Sequence, residues 1–301
     1  MIHLSISKNQ LTHLITYYVN VIEYIKPNQE LYLEIVKFNP CAIVYIKEQT
    51  EELCLRAVKN FGFILDYVIE QTPKICYTAV KNNGLALSMV KNKTYDICLE
   101  AVKQNGYAIK YVSDEYQTPE LCINAVKQNG FTIKHIKNPT YNVCMEAVKQ
   151  NGLTLEYINK YVSNDNEGYR EICMEAIKQN GLAIQYIEDQ CTEICMEAVK
   201  QNGLALRFIK NQTPIICMEA IKQNYEAFRY VISQTDDICL EAVKRNGWML
   251  YFVKTRTHEI CSEAVKQDKN VEVLTKEQIF TGDITIDNVL GVNCVNNFYN
   301  F

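Results

Sequence analysis

Apolar and polar positions follow one another along this chain in a unit of about 22 residues. Counting from a central residue at position 0, positions −1, 0, +1, +3 and +4 are apolar, whereas −2, +2, +5 and +6 are polar. A second apolar group follows at +9, +10, +11, +13 and +14. Both groups have helical spacing. The pattern predicts two helices per unit, helix A from about −3 to +7 and a shorter helix B from about +9 to +15.

The cysteines set the register of this repeat. The chain has 13 cysteines, and ten of them stand at position 0, separated by 22 residues except for one gap of 24 and one of 29. Tyr32 lies 22 residues before the first of them and brings the number of repeats to eleven. A fixed short period is typical of stacked repeats. We therefore predict an all-α fold, an α-solenoid of about eleven short helix-turn-helix repeats. The ten residues are Cys54, Cys76, Cys98, Cys122, Cys144, Cys173, Cys195, Cys217, Cys239 and Cys261.

Residues that start and stop helices recur at fixed positions of the repeat. Position −4 is Thr in eight repeats, which suits a helix N-cap, and Pro follows it at Pro73, Pro119 and Pro214. Position +8 is Gly in eight repeats. We interpret this glycine as the left-handed residue that ends helix A.

The repeat predicts three segments of the chain. Residues 28–274 form one elongated eleven-repeat domain, with insertions near 113–117 and 159–169. Residues 1–27 resemble a degenerate repeat and are predicted to be an N-terminal capping segment. Residues 275–301 leave the pattern and are predicted to be a C-terminal cap, because terminal repeats lack one neighbour.

Composition restricts the class of protein and its compartment. The chain is 48% hydrophobic and 22% charged with a net charge of −4, which excludes a disordered or collagen-like chain and gives no overall basic balance. The N-terminus lacks the pattern of a signal peptide, and no apolar run has the length of a membrane span. We expect a cytoplasmic protein without membrane attachment, whose cysteines are reduced.

The cysteines do not have the spacing of a metal or disulfide framework. The chain contains no Cys-x-x-Cys motif, and its four histidines are widely scattered. Equivalent positions of stacked helices lie about 8–10 Å apart, too far for a bridge that needs about 7 Å or less. Cys191 and Cys195, one turn apart, are the only pair with local spacing. We predict that Cys at position 0 is a small buried packing residue, and we expect no metal and no cofactor.

Lysine occupies position +5 in all eleven repeats, and two interpretations remain open. Glu at +2 in eight repeats would neutralise it along one solvated face, which is the interpretation we favour. Alternatively, the lysines track a phosphate backbone, one contact per repeat, as in RNA-binding solenoids. That alternative column comprises Lys103, Lys127, Lys149, Lys178, Lys200, Lys222 and Lys244.

Positions +12 and +13 differ in how much they vary. Position +13 is Tyr or Phe in eight repeats, and we expect these rings in the core, where flanking positions are apolar. Position +12 varies and is predicted to remain exposed, so it is the position at which a repeat protein can encode recognition. A basic cluster at Arg207 and Arg229 lies next to Tyr251. The candidate partner surface comprises Asp66, Lys110, Lys134, Glu156, Gln185, Arg207, Arg229 and Tyr251.

The complete repeat reads Ile-Cys-Met-Glu-Ala-Val-Lys-Gln-Asn-Gly-Leu-Ala-Leu-x-Tyr-Ile, and Cys195–Ile209 matches it almost throughout. It resembles the domain-of-unknown-function 4116 repeats of giant viruses of amoebae, over about residues 28–274. The resemblance implies an α-helical repeat protein of viral origin. It implies no catalytic residues, because no activity is established for that family.

These observations predict a non-enzymatic repeat scaffold for protein–protein interaction, engaging a host or viral protein partner. Eleven copies of one unit leave little room for a dedicated active site. The sequence shows no Ser/His/Asp, Cys/His or phosphate-loop motif, so we expect no catalytic residues. The alternative is a nucleic-acid-binding solenoid that uses the lysine column.

Overall fold

The computed structural model describes residues 29–159, 161 and 167–275, and within them the chain forms helices and no strands. Contacts divide it into two compact units, Met1–Val162 and Ser163–Phe301, whose boundary falls inside the predicted insertion at 159–169. The predicted capping segments, 1–27 and 275–301, lie outside the described residues apart from Thr275. Each described repeat consists of an α-helix followed by a second short helix, so the fold is the predicted all-α helical repeat.

The first unit contains six repeats. Its α-helices are α1 (Gln29–Phe38), α2 (Glu51–Asn60), α3 (Pro73–Asn82), α4 (Tyr95–Gln104), α5 (Pro119–Gln128), α6 (Tyr141–Gln150) and the short α7 (Leu155–Ile158). Its 3-10 helices are η1 (Pro40–Tyr45), η2 (Gly62–Tyr67), η3 (Gly84–Met89), η4 (Gly106–Tyr111), η5 (Asp114–Tyr116), η6 (Gly130–His135) and η7 (Gly152–Thr154). The turn η5 forms the predicted insertion near 113–117.

The second unit contains repeats 7 to 11. Its α-helices are α8 (Glu167–Gln179), α9 (Thr192–Gln201), α10 (Pro214–Gln223), α11 (Asp236–Arg245) and α12 (His258–Gln267). Its 3-10 helices are η8 (Gly181–Tyr186), η9 (Gly203–Phe208), η10 (Tyr225–Tyr230), η11 (Gly247–Phe252) and η12 (Lys269–Thr275). Within each unit, consecutive α-helices pack side by side in one layer and consecutive 3-10 helices pack in a second layer.

The predicted start of helix A is confirmed. In α10, the Thr213 hydroxyl accepts a hydrogen bond from the Ile216 amide at 3.4 Å, and Pro214 fills the first helical position. Cys191 replaces the threonine before α9 and makes no such bond, yet the helix begins at the same position. Tertiary packing therefore defines this helix start even without its side-chain cap.

The predicted helix B is wrong in type in most repeats, because six residues from +8 to +13 form a 3-10 helix instead of an α-helix; repeat 6 differs, with the short α7 following three 3-10 residues. Helix A ends at +6, one residue earlier than predicted. The Asn at +7 is extended, as Asn202 shows with φ −151° and ψ 109°, and its side chain accepts a hydrogen bond from the Leu204 amide at 3.0 Å. This bond caps the short helix, whose tight turns suit so brief a segment.

The glycine at +8 does not adopt the predicted left-handed conformation; it is required by a close approach between backbones. A Cβ on Gly62 would lie 2.5 Å from the Ala79 carbonyl oxygen of the next repeat, and one on Gly247 would lie 2.6 Å from that of Ala264. Any side chain here would collide with a helix backbone. Gly at +8 and Ala at +3 of the next repeat together allow the two layers to meet.

A glutamine at −5, which the sequence analysis missed, links consecutive repeats. The Gln212 amide nitrogen donates to the carbonyls of Leu206, in the preceding repeat, and Tyr230, at 3.1 and 3.0 Å. Its amide oxygen accepts from the Ile232 backbone N–H at 3.0 Å. These bonds satisfy backbone groups at the ends of the 3-10 helices. The signal was present in six repeats, as Gln49, Gln71, Gln117, Gln190, Gln212 and Gln234.

Candidate interaction surfaces

The predicted partner residues at +12 all lie on the second helix of their repeat, which is a 3-10 helix except at Glu156 in α7, and all of them are exposed. Four belong to each unit. The first unit carries Asp66, Lys110, Lys134 and Glu156, and the second carries Gln185, Arg207, Arg229 and Tyr251. Each set therefore forms a separate candidate surface within its own unit.

In the second unit, the guanidinium groups of Arg207 and Arg229 each lie against an aromatic ring. The guanidinium carbon of Arg207 lies 4.3 Å from the centre of the Phe208 ring, and that of Arg229 lies 4.8 Å from the centre of the Phe252 ring. Tyr251 contacts Phe252 edge-to-face, with the ring centres 5.0 Å apart. Stacked guanidinium groups keep their edges free to donate hydrogen bonds. Arg207, Arg229 and Tyr251 form what we call the Arg–Tyr surface.

The aromatic residues at +13 are not core residues, contrary to the prediction. Tyr67 and Tyr230 are exposed to 53% and 38%. A 3-10 helix has three residues per turn, so +11 and +14 lie on one face and point into the core. Positions +12 and +13 then flank that face and reach solvent. Leu274 is the exception, being buried at +13 of the last repeat.

A smaller basic surface occurs in the first unit. The Lys110 ammonium lies 4.5 Å from the centre of the Tyr111 ring. Burial, and secondarily the charges of Lys134 and Lys110, lower the pKa of His135. The insertion brings Asp114 to 2.6 Å from the Lys137 ammonium and so neutralises one cation beside this surface.

The lysine column lies on the other layer, along the α-helices, and every one of its lysines is exposed. The predicted neutralisation by Glu at +2 is mostly wrong. In the part of the chain that the structure describes, these two columns form an ion pair only between Lys266 and Glu263, at 3.2 Å. The glutamates are half-buried along the helices, whereas the lysines extend into solvent.

The cysteines at position 0 are buried, as predicted, with Cys261 half-buried in the last repeat. Burial raises the pKa of Cys122 and Cys144 to about 11, so these thiols stay protonated near neutral pH. All cysteines from 41 to 261 are free thiols, and no group of three metal-binding side chains occurs among the described residues. Cys294 lies outside them.

No helix of the described ranges combines the length and the apolar character needed to cross a bilayer.

The two-layer stack of short helices defines an all-α repeat protein of the solenoid class. The family model described as "Domain of unknown function (DUF4116)" matches the chain six times, over residues 72–117, 94–139, 140–190, 169–213, 193–234 and 216–256. The chain belongs to this family. No curated protein and no solved structure matches it.

Proposed function

We propose that this chain is a non-enzymatic repeat scaffold that binds a host or viral protein partner through the Arg–Tyr surface. The observation that carries the proposal is the exposed, variable position +12 above a core that hardly varies between repeats. In this proposal the protein acts in the cytoplasm and derives from a giant virus, as its repeat resemblance implies.

The chemistry of the Arg–Tyr surface supports a protein partner with acidic side chains. Arginine and tyrosine are enriched at the energetic centres of interfaces. Arg207 is stacked on an aromatic ring, so less side-chain freedom is lost on binding. Arg229 pairs with Glu226 at 2.9 Å and can exchange this exposed ion pair for a partner carboxylate.

The state of the cysteines supports a non-enzymatic role. A nucleophilic cysteine needs an accessible thiolate with a lowered pKa. The thiols of Cys195 and Cys239 are buried, and burial raises their pKa to about 11. These repeated groups therefore serve packing.

One observation favours nucleic-acid binding as the second candidate. The lysine column is exposed and mostly without ion pairs to Glu at +2 in the described repeats. Two observations speak against this candidate. The glutamates at +2 lie on the same layer as the lysines, and the chain is acidic overall, so the electrostatic attraction of a phosphate backbone is weak.

Affinity purification with matched variants separates the two candidates. The first variant carries Arg207→Ala, Arg229→Ala and Tyr251→Ala. The matched control changes three exposed lysines of the other layer, Lys103→Gln, Lys127→Gln and Lys149→Gln. Each protein is incubated with host-cell lysate at low and high salt, with and without nuclease.

A protein partner is expected to be retained after nuclease treatment by wild type and by the lysine variant, and to be lost from the Arg–Tyr variant. Retention by the Arg–Tyr variant would show that another surface binds the partner. Nucleic-acid binding would be established instead by three results together. The bound material would disappear after nuclease treatment, its binding would depend steeply on salt, and the lysine variant would not bind it.

A further inference from the structure

The junction between repeats 9 and 10 lacks two residues that join repeats 8 and 9. Tyr225 stands at +8 in place of glycine, and Arg245 stands at +6, where neighbouring repeats carry Gln. At the preceding junction, the Gly203 amide donates to the Gln223 side-chain oxygen at 2.6 Å. Arg245 offers no acceptor for such a bond, and pairs with Glu241 at 2.8 Å instead.

A groove lies between α10 and α11 at the junction with these two replacements. The Tyr225 side chain stands where glycine elsewhere lets backbones meet, and α10 contacts α11 less closely than it contacts α9. A groove of about 520 Å³ runs between the two helices. A second cavity of about 350 Å³ continues it to Tyr225 and Arg245.

The groove has an ordered chemistry along its length. Ile215 lines the end nearest the helix N-termini and is 72% exposed, although every other repeat carries a polar residue at this position. On α11, Asp237 lines this end, and Leu240 follows about one turn later at +1, as Met218 does on α10. Glu219 and Glu241 follow at +2, and Lys222 and Lys244 follow at +5. Apart from Asp237, the lining is therefore apolar from −2 to +1, acidic at +2 and basic at +5.

The spacing of these groups can be compared with that of alternate side chains in an extended chain. With a helical rise of 1.5 Å per residue, the glutamates lie about 6 Å and the lysines about 10 Å beyond Ile215 along the axis. An extended peptide advances about 3.3 Å per residue, so the next two side chains on the same face lie at about 6.6 and 13 Å. The first of these falls opposite the glutamates, and the second falls about 3 Å beyond the lysine backbones, a distance that the long lysine side chains span. A peptide with an aliphatic, then a basic, then an acidic side chain at alternate positions has the complementary order.

We propose that the groove between α10 and α11 binds an extended segment of a protein partner with the pattern aliphatic-x-basic-x-acidic. The aliphatic side chain packs on Ile215 and Leu240, the basic one pairs with Glu219, and the acidic one pairs with Lys222 and Lys244. This site extends the proposed scaffold role to a second surface, on the α layer, that does not include the Arg–Tyr surface.

Two labelled peptides of identical composition test the charge order with the full-length chain. The probe Gly-Leu-Ala-Arg-Ala-Glu-Gly has the complementary order, and Gly-Leu-Ala-Glu-Ala-Arg-Gly reverses it. We expect the first to bind about tenfold more tightly in fluorescence polarisation, as 1.4 kcal/mol corresponds to a factor of ten. Exchanging the α10 charges with Glu219→Lys and Lys222→Glu is expected to abolish this preference. Equal affinity of wild type for both peptides would overturn the proposal.

A consensus-restoring variant tests the groove itself. Tyr225→Gly with Arg245→Gln recreates the regular junction and is expected to weaken the first peptide about tenfold while the protein stays folded. Unchanged binding by this variant would refute the site. The Arg–Tyr variant serves as the control and should bind the peptide as wild type does, so failure of the groove and failure of the proposed function are separable. If the wild-type chain sediments as a dimer and Ile215→Glu makes it a monomer, the groove is occupied by a second copy of the chain. That result would reject the proposed peptide site.

Discussion

Two consecutive junctions of the second unit show what joins the repeats. Between repeats 8 and 9, Gly203 lies against the Ala220 carbonyl, and Gln212 bonds the Leu206 carbonyl across the junction. Between repeats 9 and 10, Tyr225 occupies the glycine position. There, Gln234 bonds Phe252 and Lys254 of its own repeat. In the described chain, no equivalent bond links it back to repeat 9.

At these two junctions, closer packing of the α layer goes together with one backbone contact. The helices of repeats 8 and 9, which have this contact, pack more closely than those of repeats 9 and 10, where a groove lies on the outer face. The core behind the groove is unaffected, because Cys217 and Cys239 are only 2% and 3% exposed. A scaffold can thereby gain a site at one junction without losing its fold.

The largest expected effect comes from placing a tyrosine at the regular junction. Gly203→Tyr forces a side chain against the α10 backbone and is expected to lower the free energy of unfolding by about 3 kcal/mol, the upper range for overpacking. Tyr225→Phe at the open junction is the control and should change it by less than about 0.5 kcal/mol. Guanidinium denaturation measures both. A loss below about 1 kcal/mol for Gly203→Tyr would contradict the role of the backbone contact.

The glutamine bonds provide a matched pair with a smaller effect. Gln212→Ala removes three hydrogen bonds to backbone groups, including the bond to Leu206 across the junction, and leaves the Tyr230 carbonyl and the Ile232 amide without this partner, so we expect a loss of about 2 kcal/mol. Gln234→Ala removes two hydrogen bonds to backbone groups, both within one repeat, and its loss is expected to be about 1 kcal/mol smaller. Equal losses in chemical denaturation would show that the bond across the junction contributes nothing.

Restoring the regular junction should raise stability modestly. Tyr225→Gly with Arg245→Gln lets the Gly amide bond the new Gln side chain, and one such bond contributes about 1 kcal/mol. The denaturation midpoint is expected to rise accordingly. Arg245→Gln alone provides the comparison, because with Tyr225 in place the amide of residue 225 is expected to stay out of reach of the new Gln side chain. A lower midpoint for the double variant would mean that Tyr225 itself stabilises the junction.

The smallest difference is expected between the thiols on the two sides of the groove. At pH 8, Cys217 and Cys239 should react with a thiol reagent equally slowly, and Cys191, which is half-exposed, should react much faster.

Burial raises the pKa of Cys239 to about 11, above its ordinary value of 9.0. The folded state thus disfavours the thiolate, and stability is expected to fall as the pH rises from 9 to 11. Faster reaction of Cys239 than Cys195 would show that the groove reaches the core.

Local chemistry was predictable wherever one residue type has one physical role. Thr213 and Pro214 marked a helix start from their hydrogen-bonding and backbone properties alone. The burial of Cys217 followed from its place on an apolar face. The exposure of Arg207 and Arg229 at +12 followed from the same periodicity.

Predictions failed where two repeats act on one residue. Gly203 was interpreted through its own conformational freedom, but its role is set by the Ala220 carbonyl of the next repeat. The exposure of Tyr230 depends on the second helix being a 3-10 helix, and spacing of apolar residues over six positions does not distinguish it from an α-helix. Tyr225 was visible as an exception, but not as the origin of a groove.

The amino-acid sequence by itself determined the number of repeats, the all-α class, the helix starts and the buried cysteine column, because each rests on local periodicity and local capping. Only the tertiary structure decided the type of the second helix, the purpose of the glycines, the glutamine bridges and the opening between α10 and α11. Those features depend on distances between backbones of neighbouring repeats, which lie about 20 residues apart along the chain and meet only when the helices stack.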